Sequence, residues 1–268
     1  MKTWRIALLT VVALTAAPWG VFAQTAKSGA KSTGAEGYVE NSIAVDGAKS
    51  PKPQSLTIFS GGLIYDVSVK GNRVVVFNPE TGQLVLLDKG RKIKTEISTT
   101  DLDAARAQLR EWCLKQADSV LQFCGKPKFE LEESDGQLAF RASEMQYLVN
   151  TIEPRDKQIA EDYRKFSDAM VGLAVIGQTS PIPPLARLAI NRELAQRGVM
   201  PSSVAVEVRP KSAAVRQTLK IRSHHTIGWK LRPWDLRMAQ EADNYSRDFR
   251  SVEINEFLAR PTAKTASR

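Results

Sequence analysis

The chain has 268 residues, a formal net charge of +9, a pI near 9.6, 43% hydrophobic residues and two cysteines. This is enough apolar material to bury the core of one large domain or two small ones. The cysteines form no C-x-x-C pair, which excludes zinc-ribbon and thioredoxin-type chemistry.

The chain opens with Lys2 and Arg5, an apolar run from Ile6 to Ala17, and the small-x-small exit Val21-Phe22-Ala23 before Gln24. This is the pattern of a secretory signal peptide over residues 1–23. The run is shorter than the ~20 apolar residues of a membrane span, and Pro18 and Gly20 interrupt it. Cleavage is therefore expected over retention as an anchor, giving a secreted or periplasmic protein. A basic protein in that setting is drawn to a membrane surface, a lipid or an anionic envelope polymer, and nucleic acid is not an expected partner.

Residues 24–54 are rich in Ala, Gly, Ser, Thr, Lys and Pro and read as a flexible spacer. A single α+β domain is expected over 55–260, followed by a polar, disordered tail at 261–268. From Leu56 to Ser98 short alternating segments are separated by the turns Lys70-Gly71-Asn72, Asn78-Pro79-Glu80-Thr81-Gly82 and Lys89-Gly90-Arg91. Strands of this length joined by Gly-containing turns predict an antiparallel meander.

A helix is predicted over 101–124, with Thr100 as its N-cap and Gly125 and Pro127 as its stop. Leu102, Ala105, Leu109, Cys113, Ala117, Val120 and Cys124 fall on one of its faces. Export favours a disulfide between Cys113 and Cys124. One intact helix, however, sets them about 16 Å apart at 1.5 Å per residue, and a bridge needs Cα atoms within about 7 Å. Helix and bridge exclude each other; the helix is preferred, with both thiols unpaired in the core.

Phe129 to Ala142 predicts a hairpin about Asp135-Gly136, and Met145 to Ile152 another strand. Helices are expected at Asp156–Ile176 and from Pro183-Pro184 to Gly198. Val204, Val206 and Val208 return to strand periodicity, and the longest alternation runs from Val215 to Arg232. A short helix over 233–245 and a last strand over 249–254 complete the set.

The odd positions of the 215–232 strand are mostly apolar; the even ones carry Arg216, Lys220, Arg222, His224, Lys230 and Arg232. This basic stripe is the candidate binding surface for an anionic ligand. It is equally what the solvated outer face of a sheet presents, with Glu96, Glu130 and Glu132 on other strands available to pair with it.

The chain has no phosphate-binding Gly loop, G-x-S-x-G or H-E-x-x-H. Ser60 precedes Gly61-Gly62 with neither a helix start nor a base beside it. His224 and His225 are adjacent, so on a strand they point to opposite faces and cannot share an ion. His225 falls on the apolar side, as a buried, hydrogen-bonded residue. No catalytic residue, metal ligand or cofactor is expected.

Tyr65-Asp66-Val67-Ser68-Val69-Lys70-Gly71, Leu86-Leu87-Asp88 and Lys94-Thr95-Glu96 follow one another as strand, charged Gly turn, strand ending in Leu-Leu-Asp, and Thr-bearing strand before a helix. Over residues 55–125 this pattern resembles exported bacterial proteins of the lipoprotein-carrier (LolA-like) class. The resemblance implies an incurved antiparallel half-barrel lidded by helices, with a hollow for acyl chains. The two helices at 156–198 look like an insertion relative to that class, and no binding residue carries over by position.

The expected fold is α+β, a curved, half-barrel-like antiparallel sheet of about eight to ten strands packed against three or four helices. The expected function is a non-catalytic exported or envelope protein that binds a lipidic or anionic ligand. The alternatives are a hydrolase or metal-dependent enzyme using His224 or His225 with Asp66 or Glu144, and a structural envelope component.

Overall fold

The computed structural model describes residues 36–45, 52–180, 183–209 and 218–259. The expectations at 1–23 and 261–268, and Arg216, lie outside the described residues.

The first half of the sheet comprises β1 (Gly37–Val45), β2 (Lys52–Ser60), β3 (Leu63–Ser68), β4 (Arg73–Asn78), β5 (Gln83–Asp88) and β6 (Ile93–Ser98). Helices α1 (Thr99–Leu114) and α2 (Ser119–Gly125) follow, then β7 (Glu130–Ser134), β8 (Gln137–Arg141) and β9 (Met145–Ile152). Helices α3 (Lys157–Gly177) and α4 (Ala186–Arg197) lead to β10 (Met200–Val208) and β11 (Leu219–Gly228). The described chain ends with α5 (Pro233–Asp248), β12 (Arg250–Ser251) and α6 (Ile254–Leu258).

All of these strands lie in one open 12-stranded sheet, in the order β12-β6-β5-β4-β3-β2-β1-β11-β10-β9-β8-β7. Each pairing is antiparallel except that of β12 with β6. The sheet is thus two meanders laid edge to edge, and the β1–β11 pair joins them. The α+β class and the antiparallel sheet agree with the sequence. The turn at Asp135-Gly136 does too: both residues have positive φ, 44° and 75°, as a type I′ hairpin requires.

The described residues hold 12 strands and six helices, more than the eight to ten and three or four expected, because β1, β12, α2 and α6 fall where the sequence suggests spacer, strand or one longer helix; several details differ as well. The spacer expected at 24–54 does not hold across Gly37–Val45, which forms β1, or across the start of β2. The small, polar composition there hides an alternation in which Val39, Asn41 and Ile43 share one face. The helix expected over 101–124 is two helices, because Asp118 accepts hydrogen bonds from Val120 N and Leu121 N and starts α2 afresh. Its true N-cap is Ser98, which shares a capping box with Asp101. Finally, the strand expected to Arg232 stops at Gly228, and the strand expected over 249–254 shrinks to the two residues of β12, with α6 beginning at Ile254.

Helices cover both faces of the first meander. On one face the N-terminal half of α3 sets Ile159, Tyr163 and Phe166 against Phe59, Ile64, Phe77 and Leu84. The rings of Phe59 and Tyr163 lie 6.5 Å apart, and those of Phe77 and Phe166 6.3 Å. On the other face α5 presents Ala239 and Ala242 to Leu56, Ile58, Val67, Val74 and Val76. The alanines let the helix approach closely, and Tyr65 Oη bonds Asp243 at 2.9 Å.

Tyr38 lies directly opposite Gly228 across the β1–β11 pair. A Cβ on Gly228 would come within 2.2 Å of the Tyr38 ring. The Arg232 guanidinium stacks 4.0 Å from the centre of that ring. Gly228→Ala is therefore expected to lower stability by about 1–3 kcal/mol, the usual cost of overpacking, read as a reduced urea midpoint.

Candidate functional site

Among the described residues, two members of the basic stripe are engaged by acids. Lys220 stands 3.7 Å from Glu207 on β10. Arg232 leaves the sheet and caps α5, binding buried Asp235 at 2.8 Å and Glu40 at 2.7 Å. Arg222, His224 and Lys230 remain exposed. Arg222 lies between Ala44 and Ala205, and His224 between Ser42 and Ser203. The acids expected to pair with the stripe are used otherwise in one case, since Glu132 binds Arg141 at 2.8 Å. Removing the Arg232 charge should act on stability. Arg232→Ala leaves Asp235 without its guanidinium and is expected to cost about 1–3 kcal/mol, measured by thermal or urea unfolding.

Cys113 and Cys124 are buried and free. The break at Asp118 turns α2 back on α1, so that a Cβ on Gly125 would meet Leu114 at 2.9 Å and the Arg110 carbonyl oxygen at 3.2 Å. The long helical separation that argued against a bridge is therefore absent. Burial pushes the Cys113 thiol up to about 11 and the Cys124 thiol to about 12, the latter with a contribution from Cys113. Thiols at such values are poor nucleophiles at neutral pH.

The two histidines point to opposite faces as expected. His225 lies on the α3 face, where cross-strand register aligns it with Asn41 and Asn41 with Ser55. A chain of polar side chains runs across four strands there. Ser223 Oγ lies 3.0 Å from His225 Nε2, and His225 Nδ1 lies 2.7 Å from Asn41 Oδ1. Asn41 Nδ2 donates to Ser55 Oγ at 3.1 Å and to Thr57 Oγ1 at 3.0 Å. Thr57 donates to Asp66 Oδ1 at 2.7 Å.

The direction of this chain fixes the tautomer. The Asn41 amide turns its oxygen to His225, so Nδ1 carries the proton and Nε2 accepts from Ser223. From His225 onward the donors point toward Asp66. Ser223, His225 and Asn41 thus have the connectivity of nucleophile, base and orienting group. The ring nitrogens of His225 meet neither of the carboxylates expected for catalysis. Asp66 is reached through Asn41 and the hydroxyls of Ser55 and Thr57, and Glu144 bonds Ser143 at 2.6 Å. Among the described residues no three His, Cys, Asp or Glu side chains come together to hold a metal.

The polar chain ends at a cavity of about 300 Å³ between the sheet and the C-terminal half of α3. Val75, Leu86, Met170, Leu173, Phe257 and Leu258 form its apolar walls. Gln54, Ser55, Asp66, Ser68 and Arg73 add polar groups. The packing explains the gap. One row along the sheet, large side chains meet α3; in the row Thr57, Asp66, Val75 and Leu86 a carboxylate and smaller groups face it. Ser223 and His225 do not line this cavity.

Asp66 carries the clearest electrostatic signature of the site. Burial raises its pKa, and the hydroxyls of Thr57 and Ser55 pull against that shift. Sequence reasoning placed His225 correctly but missed Asn41, Ser55, Thr57 and Ser223. The signal was present: Asn41 interrupts the apolar face of β1, and Ser223 precedes His225 by two on one strand face.

No family model matches the chain, and no curated protein matches it either.

Burial, with repulsion from Arg187 and His224, holds the His225 pKa down to about 3. An unfolded histidine titrates near 6.5. Between these values the unfolded state binds the additional proton, so the His225 contribution is intact above about pH 6.5 and is lost as pH falls toward 3. Between pH 7 and pH 5 the wild type should lose up to about 2 kcal/mol more stability than His225→Gln, read from urea midpoints.

Proposed function

We propose that this is an exported, non-catalytic envelope protein that binds one small amphipathic molecule in the cavity beneath α3 and α6. The observation that carries the reading is the cavity itself. Its volume of about 300 Å³ lies at the lower end of the range for small-molecule sites, which combine apolar walls with a few placed polar groups. The walls suit an alkyl or ring body, and Asp66, Ser55 and Ser68 suit a polar head.

Two further points support the reading. A hollow between an antiparallel sheet and its helices is also what the resemblance to lipoprotein carriers implies, where acyl chains occupy it. The most enzyme-like group, Ser223–His225–Asn41, does not line the cavity, so a ligand held there does not meet its hydroxyl. Export rests on the signal-peptide pattern at 1–23 and places the ligand among envelope amphiphiles.

Native mass spectrometry after gentle purification should show a stoichiometric small adduct that is removed by organic extraction. Leu173→Trp, which projects an indole into the cavity, is expected to abolish the adduct and weaken binding of a long-chain alcohol at least tenfold without loss of fold. A wild type that carries no adduct and binds no alkyl probe refutes the reading.

A further inference from the structure

We infer that the head group of the cavity ligand is a hydrogen-bond donor, best a primary ammonium, and that the Asp66 carboxylate receives it. This deepens the proposed function and rests on the cavity being a binding site. Asp66 is the one acid lining the cavity. Its described polar neighbours are neutral hydroxyls: Thr57 donates to Oδ1 at 2.7 Å, and Ser55 adds a second hydrogen bond. Asn41 fixes both hydroxyls, because its two N–H groups occupy Ser55 Oγ and Thr57 Oγ1 as acceptors and leave their protons for Asp66. Behind Asn41 stands His225, held neutral and locked as the Nδ1–H tautomer.

The carboxylate is therefore oriented from behind and carries no ion pair among the described residues. An ionised carboxylate has about four acceptor sites, and two hydroxyls do not fill them. Leaving a charge beside apolar walls without a counter-charge is costly, and a donor delivered by the ligand removes that cost. Arg73, the one base lining the cavity, lies at its exposed edge, two residues along β4 from the partner of Asp66. Solvent weakens its influence, so the half-buried Asp66 carboxylate sets the selectivity. The chain's net charge of +9 works against a cation, so a preference for ammonium cannot come from the overall field.

The experiment is calorimetric titration of the full chain at neutral pH with dodecylamine, dodecanol and dodecanoate, each below its micelle concentration. The wild type is expected to bind dodecylamine at least tenfold more tightly than dodecanoate, with dodecanol between them. Asp66→Asn, which keeps the shape and the Thr57 contact, should bring the amine and carboxylate within about threefold of each other while retaining dodecanol. Arg73→Gln should leave the amine preference in place. Equal binding of all three probes by the wild type, abolished by Leu173→Trp, overturns the head-group inference and leaves the cavity reading standing. Tighter dodecanoate, or an amine preference that survives Asp66→Asn, also overturns it. Failure of every probe to bind refutes the cavity reading itself. Should Asp66→Asn not fold, the order of the three probes on the wild type still decides.

Discussion

Strand β1 pairs with β2 along one edge and with β11 along the other, and this double pairing turns two separate meanders into one sheet. Its register then determines which side chains meet. With Tyr38 opposite Gly228, the ring covers the glycine and Arg232 covers the ring. With Asn41 opposite His225 on one side and Ser55 on the other, one amide bridges the two meanders through polar groups on the α3 face. A one-residue slip would turn all of these to the opposite face, since side chains alternate with period two. The half-buried polar chain therefore specifies register as well as contributing hydrogen bonds.

The two faces of the first meander are closed differently. Beneath α5, small alanines meet a dense layer of Leu, Ile and Val, and the contact is tight. Beneath α3 the aromatic pairs seal only the N-terminal half of the helix. Further along, the row containing Thr57 and Asp66 places polar groups where a continuous core would need large apolar ones, and a cavity is left beside Met170 and Leu173. The cavity and the polar chain are in this sense one feature: the residues that make the chain also prevent the core from filling.

Much of this arrangement was legible in the sequence. The turns Asn78–Gly82 and Asp135-Gly136 punctuate the strands clearly, and the amphipathic stripe Ile159, Tyr163, Phe166 defines α3. The rest was hidden for physical reasons. Gly37–Val45 looks like linker because Glu40, Asn41 and Ser42 are polar, and only pairing on both edges makes it a strand. The 101–124 stripe keeps helical period through Lys115–Asp118, so the break shows only in Asp118 acting as an N-cap. Arg232 looked like the end of a basic strand because alternation reaches it, whereas Pro233 already marks the first turn of α5. Asp66 and His225 both stand out in the sequence, but the three residues linking them lie on strands whose pairing no local pattern gives.

The position of β1 also bears on how the chain folds. Asn41 and His225 are 184 residues apart, and loop closure over such a span comes late when local contacts are available first. The first meander can assemble from neighbouring hairpins as it emerges, yet its β1 edge keeps a row of open backbone donors and acceptors until Leu219–Gly228 exists. An open edge of that kind is where strands from other molecules add. Polar residues at Glu40, Asn41 and Ser42 on that edge disfavour such addition during the interval, so the same residues that disguise β1 as a linker protect the half-built sheet while it waits for its partner.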